Sequence, residues 1–175
     1  MPDEKVKKLV LASLFAALAA VMTTVIRVPS PMGGYVNLGD CAVLLAAWVL
    51  GPGLGCAAAG LGSMLSDLLG YPLYAPGTLV IKGGMALLAG WLFRRLSKGG
   101  NAPAFPALLV SGGLAEALMV AGYFLYEAAP FPVGLGLAAL ANVPFNAVQG
   151  VFGLASASAV YLALSRSHVL ARRRT

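Results

Sequence analysis

Residues 38–70 read LGDCAVLLAAWVLGPGLGCAAAGLGSMLSDLLG, and this stretch decides how many helices the chain forms. It contains two apolar runs, 38–50 and 54–70, on either side of Gly51-Pro52-Gly53. Joined, the runs would make one long helix, but proline flanked by glycine is typical of a break. The stretch therefore predicts two helices.

Four further apolar runs, at about 6–27, 77–96, 104–126 and 134–165, each approach or exceed the roughly 20 residues that cross a bilayer. The 175-residue chain is 59% hydrophobic and 10% charged, whereas an average soluble domain carries about 25% charged residues. The composition excludes an ordinary soluble protein, and the length predicts a single transmembrane domain over residues 1–175.

The net charge of +6 does not indicate nucleic-acid binding, because the positive residues form three clusters that each flank an apolar run. The clusters are Lys5, Lys7 and Lys8; Arg94, Arg95 and Lys98; and Arg166, Arg172, Arg173 and Arg174.

The positions of these clusters indicate how many times the chain crosses the membrane. If the N-terminal cluster is cytoplasmic, the second cluster is cytoplasmic only after an even number of crossings. A break at Gly51 gives four crossings there and six by the C-terminal arginines. We therefore predict an all-α membrane protein, a six-helix bundle with both termini cytoplasmic, in the plasma membrane. The first run extends to Ile26, longer than the roughly 7–15 residues of a signal-peptide core, so we expect it to be retained.

This topology places loops rich in Tyr, Pro and Gly at the outer face, over residues 27–38, 70–77 and 127–133. Asp40 opens the second run and Asp67 nearly closes the third, so both lie near these loops. Ionisable residues inside membrane segments are functional candidates by default. We therefore predict a small-molecule site that faces outward.

Three amide side chains, Asn142, Asn146 and Gln149, follow one another at spacings of four and three in the sixth run. This spacing places them on one face of a helix over two turns. Amides at such positions can bridge helices without a ligand, but a stripe of three favours the lining of a polar cavity.

Two further charges lie within predicted spans and allow more than one interpretation. Lys82 can reach the membrane interface, pair with Asp67 or Glu116, or contact a ligand. Glu116, near the middle of the fifth run, is protonated, paired with Lys82, or in a wet cavity. Glu127 lies at a loop edge, where we expect it to be solvated. The predicted substrate-binding residues are Asn37, Asp40, Asp67, Tyr74, Lys82, Glu116, Tyr123, Asn142, Asn146 and Gln149.

The first helix carries Ala12, Ala16 and Ala20 at every fourth position. Small residues at this spacing let another helix approach closely, either within the bundle or from a partner subunit. Cys41 and Cys56 lie in apolar runs without a CxxC motif and are interpreted as packing residues. We predict no catalytic residue, no cofactor and no metal.

The segment from Gly33 to Gly83 resembles the S components of energy-coupling factor (ECF) vitamin transporters. The resemblance rests on GGYVNLGD (33–40), LGPGLG (50–55), GLGSMLSDLLGY (60–71) and YAPGTLVIKG (74–83). It is greatest to the branch for riboflavin, hydroxymethylpyrimidine or pyridoxine-type substrates.

This resemblance implies a six-helix, high-affinity substrate-binding component with a pocket near the outer face, capped by the loop 27–37. It also implies that Ala12, Ala16 and Ala20 dock a transmembrane coupling subunit, which joins two cytoplasmic ATPases. Two alternatives remain open: a self-sufficient ion-coupled carrier that uses Glu116, and an intramembrane enzyme that uses Asp40 and Asp67 as a carboxylate pair.

Overall fold

The computed structural model describes residues 3–97 and 104–167. Six α-helices and one two-stranded sheet lie within these ranges. The helices are α1 (Glu4–Val25), α2 (Gly39–Leu50), α3 (Pro52–Gly70), α4 (Ala75–Ser97), α5 (Ala104–Ala128) and α6 (Val143–Arg166), and a 3₁₀ helix (Gly136–Asn142) precedes α6. The strands are β1 (Arg27–Pro29) and β2 (Tyr35–Asn37). Lys98, His168 and Arg172 to Arg174 lie outside the described residues.

The predicted break between the second and third runs is confirmed. Gly51 has a φ of 84°, a conformation that glycine adopts without steric cost. A Cβ at Gly51 would lie 1.7 Å from the Arg94 guanidinium, which donates a 3.2 Å hydrogen bond to the Leu50 carbonyl. The turn and the second basic cluster therefore lie at the same end of the bundle, here called the Gly51 end.

Five of the helical segments are long and apolar enough to cross a membrane, whereas α2 has only 12 residues. At about 1.5 Å per residue α2 is roughly 18 Å long, shorter than a hydrocarbon core of about 30 Å. Its residues from Gly39 to Trp48 are all buried. A helix surrounded by protein need not match the lipid thickness, so α2 forms the centre of the bundle.

Close helix packing depends on glycines at two contacts made by α1. A Cβ on Gly62 of α3 would lie 2.2 Å from the Ala16 carbonyl oxygen, and one on Gly39 would lie 2.2 Å from the Thr23 hydroxyl. Gly62 lets the α1 backbone approach more closely than any other residue allows, and Gly39 leaves room for the Thr23 side chain. These contacts hold α1 against α2 and α3.

The prediction of an all-α bundle needs one addition, because β1 and β2 form an antiparallel hairpin between α1 and α2. It pairs Arg27 with Asn37, Val28 with Val36, and Pro29 with Tyr35. Gly33 in its turn has a φ of 89°, which favours glycine. The hairpin covers one end of the bundle, here called the hairpin end.

Candidate functional site

A narrow cavity lies beneath the 27–37 hairpin at the hairpin end. Strand β2, the ends of three helices and the α3–α4 connection supply its lining, which is Tyr35, Asn37, Asp67, Tyr74, Tyr123, Glu127 and Asn146. The cavity volume is about 20 Å³, and the empty space including the open mouth is about 290 Å³. A cavity of about 20 Å³ holds roughly one or two water molecules, so a larger ligand requires the walls to move apart.

Asp67, at the C-terminal end of α3, joins the hairpin to α4. Its carboxylate accepts hydrogen bonds from the Tyr35 phenol and from the Thr78 hydroxyl, the latter at 2.5 Å. Thr78 is also 3.0 Å from the Tyr123 phenol oxygen. Burial, reinforced by the Asp67 charge, raises the pKa of Tyr35. The phenol therefore stays protonated and donates to the carboxylate.

Glu127, near the C-terminal end of α5, is the second carboxylate of the cavity lining. The expectation that it is solvated is wrong, because it is only 3% exposed. Its carboxylate accepts a 2.9 Å hydrogen bond from the Asn142 amide and a 3.4 Å one from the Tyr74 phenol. The 27–37 hairpin accounts for the burial: a Cβ on Gly34 would lie 3.3 Å from a Glu127 carboxylate oxygen.

The three amides of the stripe Asn142, Asn146 and Gln149 have two different roles. Asn142 accepts a 3.2 Å hydrogen bond from the Met32 N–H, and Gln149 accepts a 2.7 Å one from the Asn37 N–H. These bonds hold the tip and the base of the 27–37 hairpin. Asn146 lines the cavity and makes no side-chain hydrogen bond to any residue in 3–97 or 104–167. Its amide is therefore the member of the stripe available to a ligand. One correction is needed: Asn142 ends the 3₁₀ helix, so the sixth helix starts after it.

Lys82 forms a buried ion pair with Asp40, and this pairing differs from the partners proposed from the sequence, Asp67 and Glu116. Gln149 donates a 2.7 Å hydrogen bond to the other Asp40 oxygen. The Lys82 ammonium lies 5.4 Å from the centroid of the Tyr123 ring. Asp40, Lys82 and Gln149 therefore form a satisfied polar cluster outside the cavity lining.

Glu116 lies beside this cluster, is 6% exposed, and has no hydrogen-bond partner for either carboxylate oxygen among the described residues. It packs against α6 at two glycines: a Cβ on Gly150 would lie 3.1 Å from the Glu116 Cβ, and one on Gly153 would lie 3.0 Å from a carboxylate oxygen. The proposed ion pair with Lys82 is not formed, since Asp40 takes that role.

The cavity lining contains five of the predicted substrate-binding residues, namely Asn37, Asp67, Tyr74, Tyr123 and Asn146. The other five predicted residues, Asp40, Lys82, Glu116, Asn142 and Gln149, lie outside it. Tyr35 and Glu127 line the cavity but are not among the ten predicted residues. Glu127 follows Tyr123 by four residues, and this helical spacing is a signal that could have placed both on one face.

The alanines of α1 are half-buried at Ala12, Ala16 and Ala20. The Ala16 carbonyl contacts α3 at Gly62, so part of the stripe serves packing within the bundle. Ser13 and Ala17, beside the stripe, are exposed.

Comparison with known proteins assigns this arrangement to a class of membrane transport proteins. Residues 3–166 match the model of the family "ECF-type riboflavin transporter, S component". A protein of Pyrococcus woesei, designated "Uncharacterized protein in gap 3'region", is 35% identical over 132 residues, which cover 75% of this chain and 85% of that protein.

Two solved structures share the fold. One is the S component of a bacterial ECF transporter, 18% identical, with a TM-score of 0.69 over 93% of this chain and 98% of that chain. The other is the S component for biotin from an ECF-type ABC transporter, 16% identical, with a TM-score of 0.59 over 92% and 94% of the two chains.

The chain belongs to the ECF-type riboflavin transporter S component family. It is a multi-pass protein of the plasma membrane and a substrate-binding subunit of a vitamin transporter, not an enzyme. The prediction of an S component from the motifs between Gly33 and Gly83 is confirmed.

Proposed function

We propose that this protein captures a flat, hydroxylated vitamin or vitamin precursor at the outer face of the membrane. Candidates are riboflavin, hydroxymethylpyrimidine and pyridoxine. The observation that carries the proposal is the cavity beneath the 27–37 hairpin, where three phenols, two amides and two carboxyl groups converge. Aromatic walls with a few polar anchors are typical of small-molecule sites.

The 27–37 hairpin acts as a lid in this proposal. Polar contacts attach it to the bundle, among them Tyr35 to Asp67, Met32 to Asn142, Asn37 to Gln149, and Arg27 to the Ser66 carbonyl at 2.8 Å. Each is a hydrogen bond that water can replace when the hairpin lifts, so opening exchanges bonds without exposing a large apolar core. Lifting the hairpin is also what the narrow cavity needs before it admits a ring-sized ligand.

The orientation in the membrane follows from the basic residues. Arg94 lies against the Gly51 turn, and cationic residues favour the cytoplasmic side. The hairpin end then faces outward, α2 counts as a crossing despite its length, and both termini are cytoplasmic after six crossings. A cell-impermeant thiol reagent should label Val28→Cys but not Gly53→Cys, in a background where Cys41 and Cys56 are replaced by alanine. Val28 and Gly53 are both exposed. The opposite labelling pattern would show that the hairpin end faces the cytoplasm.

The partners in this proposal are a transmembrane coupling subunit and two cytoplasmic ATPase subunits. The exposed face of α1 is the docking surface that we favour, because it presents small residues, Ser13 and Ala17, among exposed apolar ones such as Leu14 and Leu18. Small residues let a partner helix approach closely. Ala12, Ala16 and Ala20 form the half-buried edge of this surface.

Two measurements test the function. Native mass spectrometry of the purified protein should detect a co-purified vitamin, and the isolated chain should bind that vitamin without ATP. Vesicles with this chain alone should not accumulate the vitamin, whereas vesicles that also contain the partner subunits should do so when supplied with ATP. Accumulation by the chain alone, driven by an ion gradient, would establish the carrier alternative instead.

A further inference from the structure

We infer that the cavity accepts vitamins without a negative charge and discriminates against their phosphorylated and carboxylated forms. The inference rests on the proposed function and specifies its substrate class. Asp67 and Glu127 both line the cavity, and the rest of its lining is phenols and amides, with no lysine, arginine or histidine among the described lining residues.

Both nearby cations have other partners. Lys82 pairs with Asp40, and it lies one helical turn beyond Thr78 on α4, with its ammonium 5.4 Å from the centroid of the Tyr123 ring. The Arg27 guanidinium donates to the Thr23 carbonyl at 3.1 Å and to the Ser66 carbonyl at 2.8 Å. An anion in the cavity would have to break one of these sets of bonds to gain a counter-charge.

The charge of a phosphate ester makes this arrangement unfavourable. A phosphate monoester carries about −1.5 to −2 charge at pH 7, and burial of a charge without a partner is strongly disfavoured. Like charges placed together at a binding site oppose binding further. Protonation of both Asp67 and Glu127 would remove the repulsion but would still supply no cation. A phosphate therefore lacks a counter-charge in either protonation state.

The same groups suit a neutral or cationic ligand that donates hydrogen bonds. A carboxylate oxygen has two lone pairs, so Asp67 can accept from a ligand while it keeps the bonds from Tyr35 and Thr78. The Asn146 amide can donate and accept. Ring N–H groups and hydroxyls match these acceptors.

Matched ligand pairs test the inference. Isothermal titration of the purified protein would compare riboflavin, pyridoxine and hydroxymethylpyrimidine with their phosphate esters at one pH and ionic strength. For whichever parent binds, the phosphate ester should bind at least about 100-fold more weakly, since like-charge contacts are worth several factors of ten. The uncharged acetate ester at the same hydroxyl controls for size and should lose much less affinity than the phosphate.

Removal of the wall charges should reduce this discrimination. Glu127→Gln and Asp67→Asn keep the side-chain shape, and either variant alone should bring the phosphate ester closer to the parent in affinity. Glu4→Gln is the matched control, because it removes one negative charge from an exposed residue at the N-terminal end of α1 and should leave the ratio unchanged.

The outcomes separate the inference from the proposed function. A phosphate ester that binds within about threefold of its parent, or an acetate ester rejected as strongly as the phosphate, would overturn the inference and leave the vitamin-binding function standing. A protein that binds none of the parents would overturn the proposed function, and the inference would fall with it.

Discussion

Asn146 offers the sharpest test of the proposed site. It is 6% exposed and lines the cavity, yet its amide has no hydrogen-bond partner within the described ranges 3–97 and 104–167. Its neighbours in the stripe, Asn142 and Gln149, instead hold the 27–37 hairpin. If the cavity binds the vitamin, Asn146 is the amide of this stripe that contacts it.

Asn146→Ala should therefore weaken binding while the protein stays folded. Loss of one buried hydrogen-bond partner costs about 1–3 kcal/mol, which corresponds to a roughly 5- to 150-fold higher Kd. The thermal midpoint without ligand should change little, because no hydrogen bond from this side chain to another described residue is lost. Isothermal titration and thermal unfolding of the purified variant in detergent measure the two quantities.

Asn142→Ala is the matched control from the same stripe. It removes the hydrogen bonds to Glu127 and to the Met32 N–H, so it should lower the thermal midpoint and speed vitamin dissociation. A folded Asn146→Ala protein with wild-type affinity would refute the assignment and move the ligand away from α6.

Three further predictions concern the bundle and its partner. Ala17→Leu should abolish co-purification with the coupling subunit without a change in vitamin affinity; a complex that survives would place the docking surface elsewhere. Gly62→Ala should lower the unfolding free energy by about 1–3 kcal/mol because its Cβ would overlap a backbone carbonyl. The control Gly53→Ala, whose Cβ meets nothing within 4 Å, should not lower it, and equal midpoints of the two variants in thermal unfolding would contradict this. Asp40→Asn leaves the buried Lys82 ammonium unpaired and should lower the unfolding free energy by about 3–5 kcal/mol. Adding Lys82→Met should restore much of this loss, and a double variant that is equally unstable would show that the broken pair is not the cause.

The helices could be predicted because their signals are local. The Gly51-Pro52-Gly53 break depends on backbone conformation at three adjacent residues, and the structure shows the positive φ that glycine allows. Apolar run lengths and charge clusters are likewise read along the chain. The sequence did not predict the β-hairpin, because its strands have only three residues each and are too short for an alternating pattern to show.

Partners of the buried charges could not be predicted, because they depend on how packed helices are rotated and shifted against one another. Helical spacing placed Lys82 near the outer end of the fourth predicted helix and left Asp67 and Glu116 as its possible partners. In the structure Lys82 pairs with Asp40, which is neither of these, whereas Asp67 accepts hydrogen bonds from Tyr35 of the hairpin and from Thr78. The burial of Glu127 was not predicted for a related reason. Glu127 lies at a loop edge in the sequence, and in the fold the 27–37 hairpin covers it.

These pairings divide the polar residues of the hairpin end into two groups with different consequences for mutation. Asp40, Lys82 and Gln149 satisfy one another, and Gln149 also bonds the base of the hairpin. A change there breaks a buried network and should act first on stability. Asp67, Glu127 and Asn146 retain free hydrogen-bonding capacity toward the cavity. Because that capacity is not needed to hold the helices together, conservative changes in the second group should alter which vitamin binds before they unfold the protein.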